Sequence, residues 1–111
     1  MARLNQKQHL LMQVLAVRAE QIDHSGLETQ LWLDHENGHY QILRVGWENE
    51  YQRVYGPLLH IDIKNDKFWI QVDNTEDGIV NDLIANGIDK SEIVLAFYPA
   101  YRRPHTEFAV A

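Results

Sequence analysis

The sequence predicts an α+β fold made of an N-terminal helix, a four-stranded antiparallel meander, two short helices and an extended C-terminal tail. Three observations carry the prediction. Leu4, Leu11, Leu15 and Ile22 recur at spacings near 3.6 residues. Four runs between Glu28 and Asp73 alternate apolar and polar residues, separated by two tight turn signals. Beyond Asp73 the alternation stops, and Pro99 and Pro104 deny the tail a regular helix.

The first helix is expected from residue 2 to about residue 22, with Leu10, Val14 and Val17 widening its apolar stripe and His24-Ser25-Gly26 ending it. A stripe of that width points to core packing and to self-association. The second half of the meander is the clearest part. Leu59 to Lys64, then Asn65-Asp66, then Lys67 to Asp73 keep a strict period of two around a two-residue turn. With that turn, Ile63 faces Phe68, Ile61 faces Ile70 and Leu59 faces Val72. The other face carries His60, Asp62, Lys64, Lys67, Trp69 and Gln71.

The first hairpin turns at Glu36-Asn37-Gly38, with two- and three-residue loops both available. The three-residue loop, with Gly38 in the left-handed position, sorts the residues better. It groups Leu27, Leu31, Leu33, Leu43, Val45 and Trp47 on one face and Gln30, Trp32, Asp34, Tyr40, Ile42 and Arg44 on the other. The sheet thus has one apolar face and one mixed face bearing Trp32, Tyr40, Ile42 and Trp69. Gly46, Gly56 and Pro57 mark bends, and Pro57 an edge or a bulge. Asn74-Thr75-Glu76-Asp77 starts a helix whose apolar face is Ile79, Val80, Leu83 and Ile84, and Gly87 stops it. Asp89-Lys90-Ser91-Glu92 has capping-box spacing and announces a short helix running into Ile93–Phe97.

A chain of 111 residues fits a single domain, 1–111. No stretch is apolar enough to span a membrane, and the start does not lead into a signal-peptide core, so a cytoplasmic protein is expected. The absence of cysteine excludes disulfides, thiolate metal sites and cysteine nucleophiles. A net charge of −6 with scattered Lys and Arg argues against autonomous nucleic-acid binding, which favours a basic stripe. Arg102-Arg103 is the only adjacent basic pair.

His35-Glu36-Asn37-Gly38-His39 has the spacing of a zinc-protease motif, but that chemistry needs a helix to bring both imidazoles to one face. Here the pentapeptide contains Asn-Gly between two strand patterns and reads as a turn. Asp62-Ile63-Lys64 is an acid-x-Lys triplet on a strand, as in metal-dependent nucleases. Such a site needs a second acid; Glu48, Glu50 or Asp73 are candidates, and none is marked by spacing. Serine-nucleophile and Walker-type phosphate motifs are absent. No catalytic residue, cofactor or metal is therefore expected. The mixed face is either covered by the C-terminal segment or left as an aromatic patch suited to a protein partner.

Glu28-Thr29-Gln30-Leu31, His39 to Leu43, Val45-Gly46-Trp47, Arg53 to Gly56, His60 to Lys64, Trp69-Ile70-Gln71, Asp89 to Leu95 and the ending Thr106 to Ala111 together resemble the XisI family, the fdxN-element excision controlling factors of cyanobacteria. The resemblance runs over nearly the whole chain and rests on the order and spacing of these segments. It implies a role in controlling site-specific excision of a DNA element, with cutting and joining done by a separate recombinase. It also implies a companion, XisH, resembling a nuclease-fold protein; no catalytic residues carry over. Combined with the mixed face, this makes a non-enzymatic accessory protein the leading expectation. Its partner-binding residues are expected to be Trp32, Tyr40, His60, Asp62, Trp69, Gln71, Glu107 and Phe108, with DNA engaged only indirectly. Rival readings are an antitoxin-like inhibitor of the companion, a nuclease using Asp62 and Lys64, and a weak DNA-binding subunit using Arg44, Arg53, Arg102 and Arg103.

Overall fold

The computed structural model describes residues 4–22 and 26–111. Helix α1 spans Gln6–Gln21. Asn5 caps it: its side chain accepts from the Gln8 backbone N–H at 2.8 Å, while Gln8 Oε1 accepts from the Asn5 N–H at 3.0 Å. Residues 2 and 3 of the expected helix, and the expected stop residues His24 and Ser25, lie outside the described residues. Leu11, Val14 and Leu15 are buried against the sheet, whereas Val17 stays exposed.

Strands β1 (Leu27–Asp34), β2 (His39–Trp47), β3 (Arg53–Lys64) and β4 (Lys67–Asp73) form the expected antiparallel meander. A fifth strand, β5 (Ile93–Leu95), pairs with β4 in parallel and makes the sheet five-stranded in the order β1-β2-β3-β4-β5. This corrects the expected helix over 93–97. The capping box at Asp89 and Glu92 does form, but it closes only one 3₁₀ turn at Lys90–Glu92. Ile93, Val94 and Leu95 then enter the sheet as an unbroken apolar run buried on both faces, as parallel strands are.

The β3–β4 turn is as expected, with Asn65 and Asp66 both at positive φ, the geometry of a type I′ turn. Ile63 faces Phe68 and Ile61 faces Ile70, but a bulge at Gln71 shifts the rest, so Leu59 lies opposite Asp73 and His60 opposite Val72. A second bulge falls beside Pro57, where Ile42 pairs with Leu59 and Leu43 with Pro57. Pro57 thus sits at a bulge inside the sheet and not at its edge.

The first hairpin differs in register. Asp34 pairs with His39, so its loop holds four residues, 35–38. Asp34 builds that loop itself: its carbonyl accepts from Gly38 N–H at 2.9 Å and its carboxylate from the Asn37 N–H and side-chain amide at 3.1 and 3.0 Å. One extra loop residue exchanges the faces. Tyr40 and Ile42 therefore belong to the core, with Leu33 packed against it, and not to the mixed face; Leu31 shares their face but stays exposed, and Leu43 and Val45 point the other way. The core rows run Leu33-Tyr40-Ile61-Ile70-Leu95 and Ile42-Leu59 across the strands.

Helix α2 (Ile79–Ala85) closes the core through Ile79 and Leu83. It starts later than expected because Asp73 and Thr75 spend residues 74–78 on a turn: Asp73 accepts from the Ile79 N–H at 2.8 Å and Thr75 from the Gly78 N–H at 3.1 Å. Gly87 ends it as expected, at positive φ, with Ile88 N–H donating to Leu83 C=O and Gly87 N–H to Ile84 C=O. Arg18, a buried charge on α1, ties the two helices together. Its Nη1 donates to Asp77 at 2.8 Å and its Nε to Asp82 at 3.1 Å.

Candidate functional site

The sheet face away from the helices carries two cross-strand rows, Asp34-His39-Asp62-Trp69-Val94 and Trp32-Gln41-His60-Val72. Alternation on β3 puts His60 and Asp62 on this face, and the four-residue loop brings His39, the first residue of β2, directly opposite Asp62. His39 Nδ1 lies 2.7 Å from Asp62 Oδ1, and His60 Nε2 lies 2.9 Å from the same oxygen. Gln71, aimed by its bulge, donates from Nε2 to Asp62 Oδ2 at 3.3 Å.

Burial pushes the Asp62 carboxyl up, but the hydrogen bonds from His39 and His60 outweigh it, and the group lies below the ordinary aspartate value. The bond to Asp62 in turn raises His39 above the ordinary histidine value. Beside this cluster, Trp32, Leu33, Asp34, Gln41 and both histidines line a depression of about 390 Å³. Trp32 is 57% exposed, and its indole N–H donates to Gln30 at 2.9 Å.

The C-terminal segment covers the opposite end of the face. Ala109 bridges Val94 and donates its N–H to Ile93 C=O at 2.9 Å. The Arg103 guanidinium sits 5.6 Å from the Trp69 ring, Lys64 Nζ sits 4.6 Å from it, and the Trp69 indole donates to Lys64 C=O at 3.0 Å. Trp69 is thus only 9% exposed. Covered and open readings of this face each hold for one tryptophan. Glu107 pairs with Lys90 at 2.9 Å, and Phe108 packs against the core edge. Of the residues expected to meet a partner, Trp32, His60, Asp62 and Gln71 share the open face, and Glu107 and Phe108 lie on the tail. Tyr40 is a correction: it is fully buried on the helix side, its hydroxyl 3.1 Å from His35 Nδ1.

His39 was missing from the expected set. Its signal was the loop length, since a four-residue loop is what places it opposite Asp62. The zinc-protease spacing is split, with His35 packed against Tyr40 and His39 turned to Asp62. The nuclease constellation is not assembled either. Asp73 is engaged by Thr75 and the α2 start, and Glu48 and Glu50 lie in the β2–β3 connection at the far end of the strands. Three of the four arginines of the DNA-binding reading lie on aromatic rings of this chain. Arg53 stacks on Trp47, Arg102 on Tyr98 and Arg103 on Trp69, and Arg44 Nε is buried.

No helix among the described residues is long and apolar enough to cross a membrane. No curated protein matches the chain. Solved structures do, among them two crystal structures from one organism. A XisI-like protein from Anabaena variabilis ATCC 29413 is 34% identical, with a TM-score of 0.87 over 95% of this chain and 96% of that one. The fdxN element excision controlling factor XisI from the same organism is 28% identical, with a TM-score of 0.78 and the same coverage. The family model for XisI protein matches residues 1–110, so helix, sheet, open-face cluster and tail all fall within it, and the chain belongs to the XisI family.

Proposed function

We propose that this protein is a non-enzymatic controlling factor for excision of a DNA element and that it acts by binding an XisH-like companion. The structural neighbour described as an fdxN element excision controlling factor supports the process. The observation that carries the binding role is the exposed Trp32 beside the His39-His60-Asp62-Gln71 cluster. An aromatic anchor with fixed polar groups around it is the composition of a binding hot spot. Trp32 stands on β1, and among the described residues the outer edge of β1 pairs with no strand, leaving backbone groups for a partner as well. Trp69 supports this surface from beneath Arg103. The basic side chains are scattered, and Arg53, Arg102 and Arg103 stack on aromatic rings of this chain, which fits a protein partner better than DNA.

The experiment is size-exclusion chromatography with light scattering on this protein alone and mixed with its XisH-like companion, at low and moderate salt. A complex surviving moderate salt supports the reading. Separate elution of the two proteins overturns it.

A further inference from the structure

The geometry points to a divalent transition-metal site made by His39 Nδ1, His60 Nε2 and Asp62 Oδ1, taking Zn²⁺ or a neighbouring first-row ion. This inference uses the same cluster as the companion-binding reading but does not rest on that reading. The three donor atoms, one from each residue, lie within 4.8 Å of one another. Ligands about 2.0–2.2 Å from a common ion stand roughly 3.0–3.5 Å apart. The 2.7 and 2.9 Å separations from Oδ1 need a few tenths of an ångström of opening by rotation of the rings, and the two ring nitrogens lie within 4.8 Å of each other.

The set is carried on rigid elements. His60 and Asp62 are two apart on β3 and share a face, and His39 meets them from the paired position on β2. Gln71 holds Asp62 Oδ2, which leaves Oδ1 turned toward both rings; metal sites use such outer partners to aim their ligands. Access is open on the His39 side, while Asp62 is mostly buried. Two imidazoles and one carboxylate select borderline transition ions over Mg²⁺ and Ca²⁺, which favour all-oxygen sets. On binding, the ring nitrogens facing Oδ1 give lone pairs to the ion, and their protons move to the outward ring nitrogens or to solvent. Three protein ligands leave one position for water or a partner's side chain.

Titration of the purified chain with Zn²⁺ by calorimetry, with Mg²⁺ as control, tests the site. One saturable equivalent of Zn²⁺ is expected, lost in His60→Gln and in Asp62→Asn, weakened about 10-fold in Gln71→Ala and unchanged in His105→Ala. X-ray absorption on the zinc-loaded wild-type chain gives a readout independent of how the variants fold, and an imidazole shell is expected. Absence of saturable binding, equal binding in His60→Gln and Asp62→Asn, or a zinc shell without imidazole overturns the proposal.

Discussion

His39 and Asp62 face each other across β2 and β3, with Nδ1 and Oδ1 2.7 Å apart. The contact depends on a loop of four residues in the first hairpin, and that loop depends on Gly38. Gly38 has φ +73°, and its carbonyl accepts from the Ile63 N–H at 2.8 Å.

Gly38→Ala is expected to destabilise the protein by more than about 1–2 kcal/mol, the usual cost of a left-handed conformation for an L-residue. The added methyl would also stand 2.6 Å from the Ile63 carbonyl oxygen, and backbone there gives way poorly. Urea unfolding measures the loss, and a variant as stable as wild type would contradict the loop geometry.

Tyr40 and Trp32 sit on opposite faces, and their variants should separate folding from binding. Tyr40→Ala empties a fully buried position and should cost roughly 3–5 kcal/mol. Trp32→Ala, at an exposed position, should stay within about 0.5 kcal/mol of wild type. Denaturant midpoints decide, and similar costs for the two variants would restore the three-residue loop, which puts both side chains on one face.

That loop is where the sequence misled. Leu31, Leu33, Leu43 and Val45 form a plausible apolar face in one register, and Tyr40 with Ile42 form another face one residue away. The polar loop residues do not count themselves, and only Asp34, by accepting three hydrogen bonds from the loop, fixes the register. The β3–β4 hairpin was legible because Asn65-Asp66 supports left-handed backbone and the alternation on both sides is strict. Its bulge at Gln71 left no mark in the pattern. The Ile93-Val94-Leu95 run is ambiguous by periodicity alone and became a strand because β4 offered it a free edge. Within the candidate site, His60, Asp62 and Gln71 were placed by alternation. His39 was not, since its position hangs on the same loop.

Arg18 holds Asp77 below the ordinary aspartate value of 3.8 through a direct hydrogen bond. Arg18→Met should cost about 1.5–3 kcal/mol, the range for hydrogen bonds to charged groups. An aspartate whose folded value is depressed contributes stability above its unfolded value and loses it as pH falls through the folded one. The stability difference between wild type and Arg18→Met should therefore shrink as pH is lowered below about 4. Urea midpoints across acid pH test this, and a constant difference would show that the ion pairs add nothing.

The tail is part of the sheet's cover. Removing residues 107–111 takes away the Ala109 bridge to β5 and the packing of Phe108, so the cost to stability should be about 2 kcal/mol. Hydrogen exchange at Ile93–Leu95 should quicken while β2 and β3 keep their protection. Unchanged exchange at β5 would show that the tail is dispensable to the fold.

The decisive measurement is calorimetric titration of the XisH-like companion into wild-type protein, Trp32→Ala and Trp47→Ala. Trp47 is equally exposed but lies at the far end of β2. A hot-spot contact is worth about 2 kcal/mol or more, so Trp32→Ala should weaken binding roughly 30-fold while Trp47→Ala leaves it unchanged. Equal affinity for wild type and Trp32→Ala, or no binding by any of the three, would contradict the open face of the sheet as the companion's docking surface.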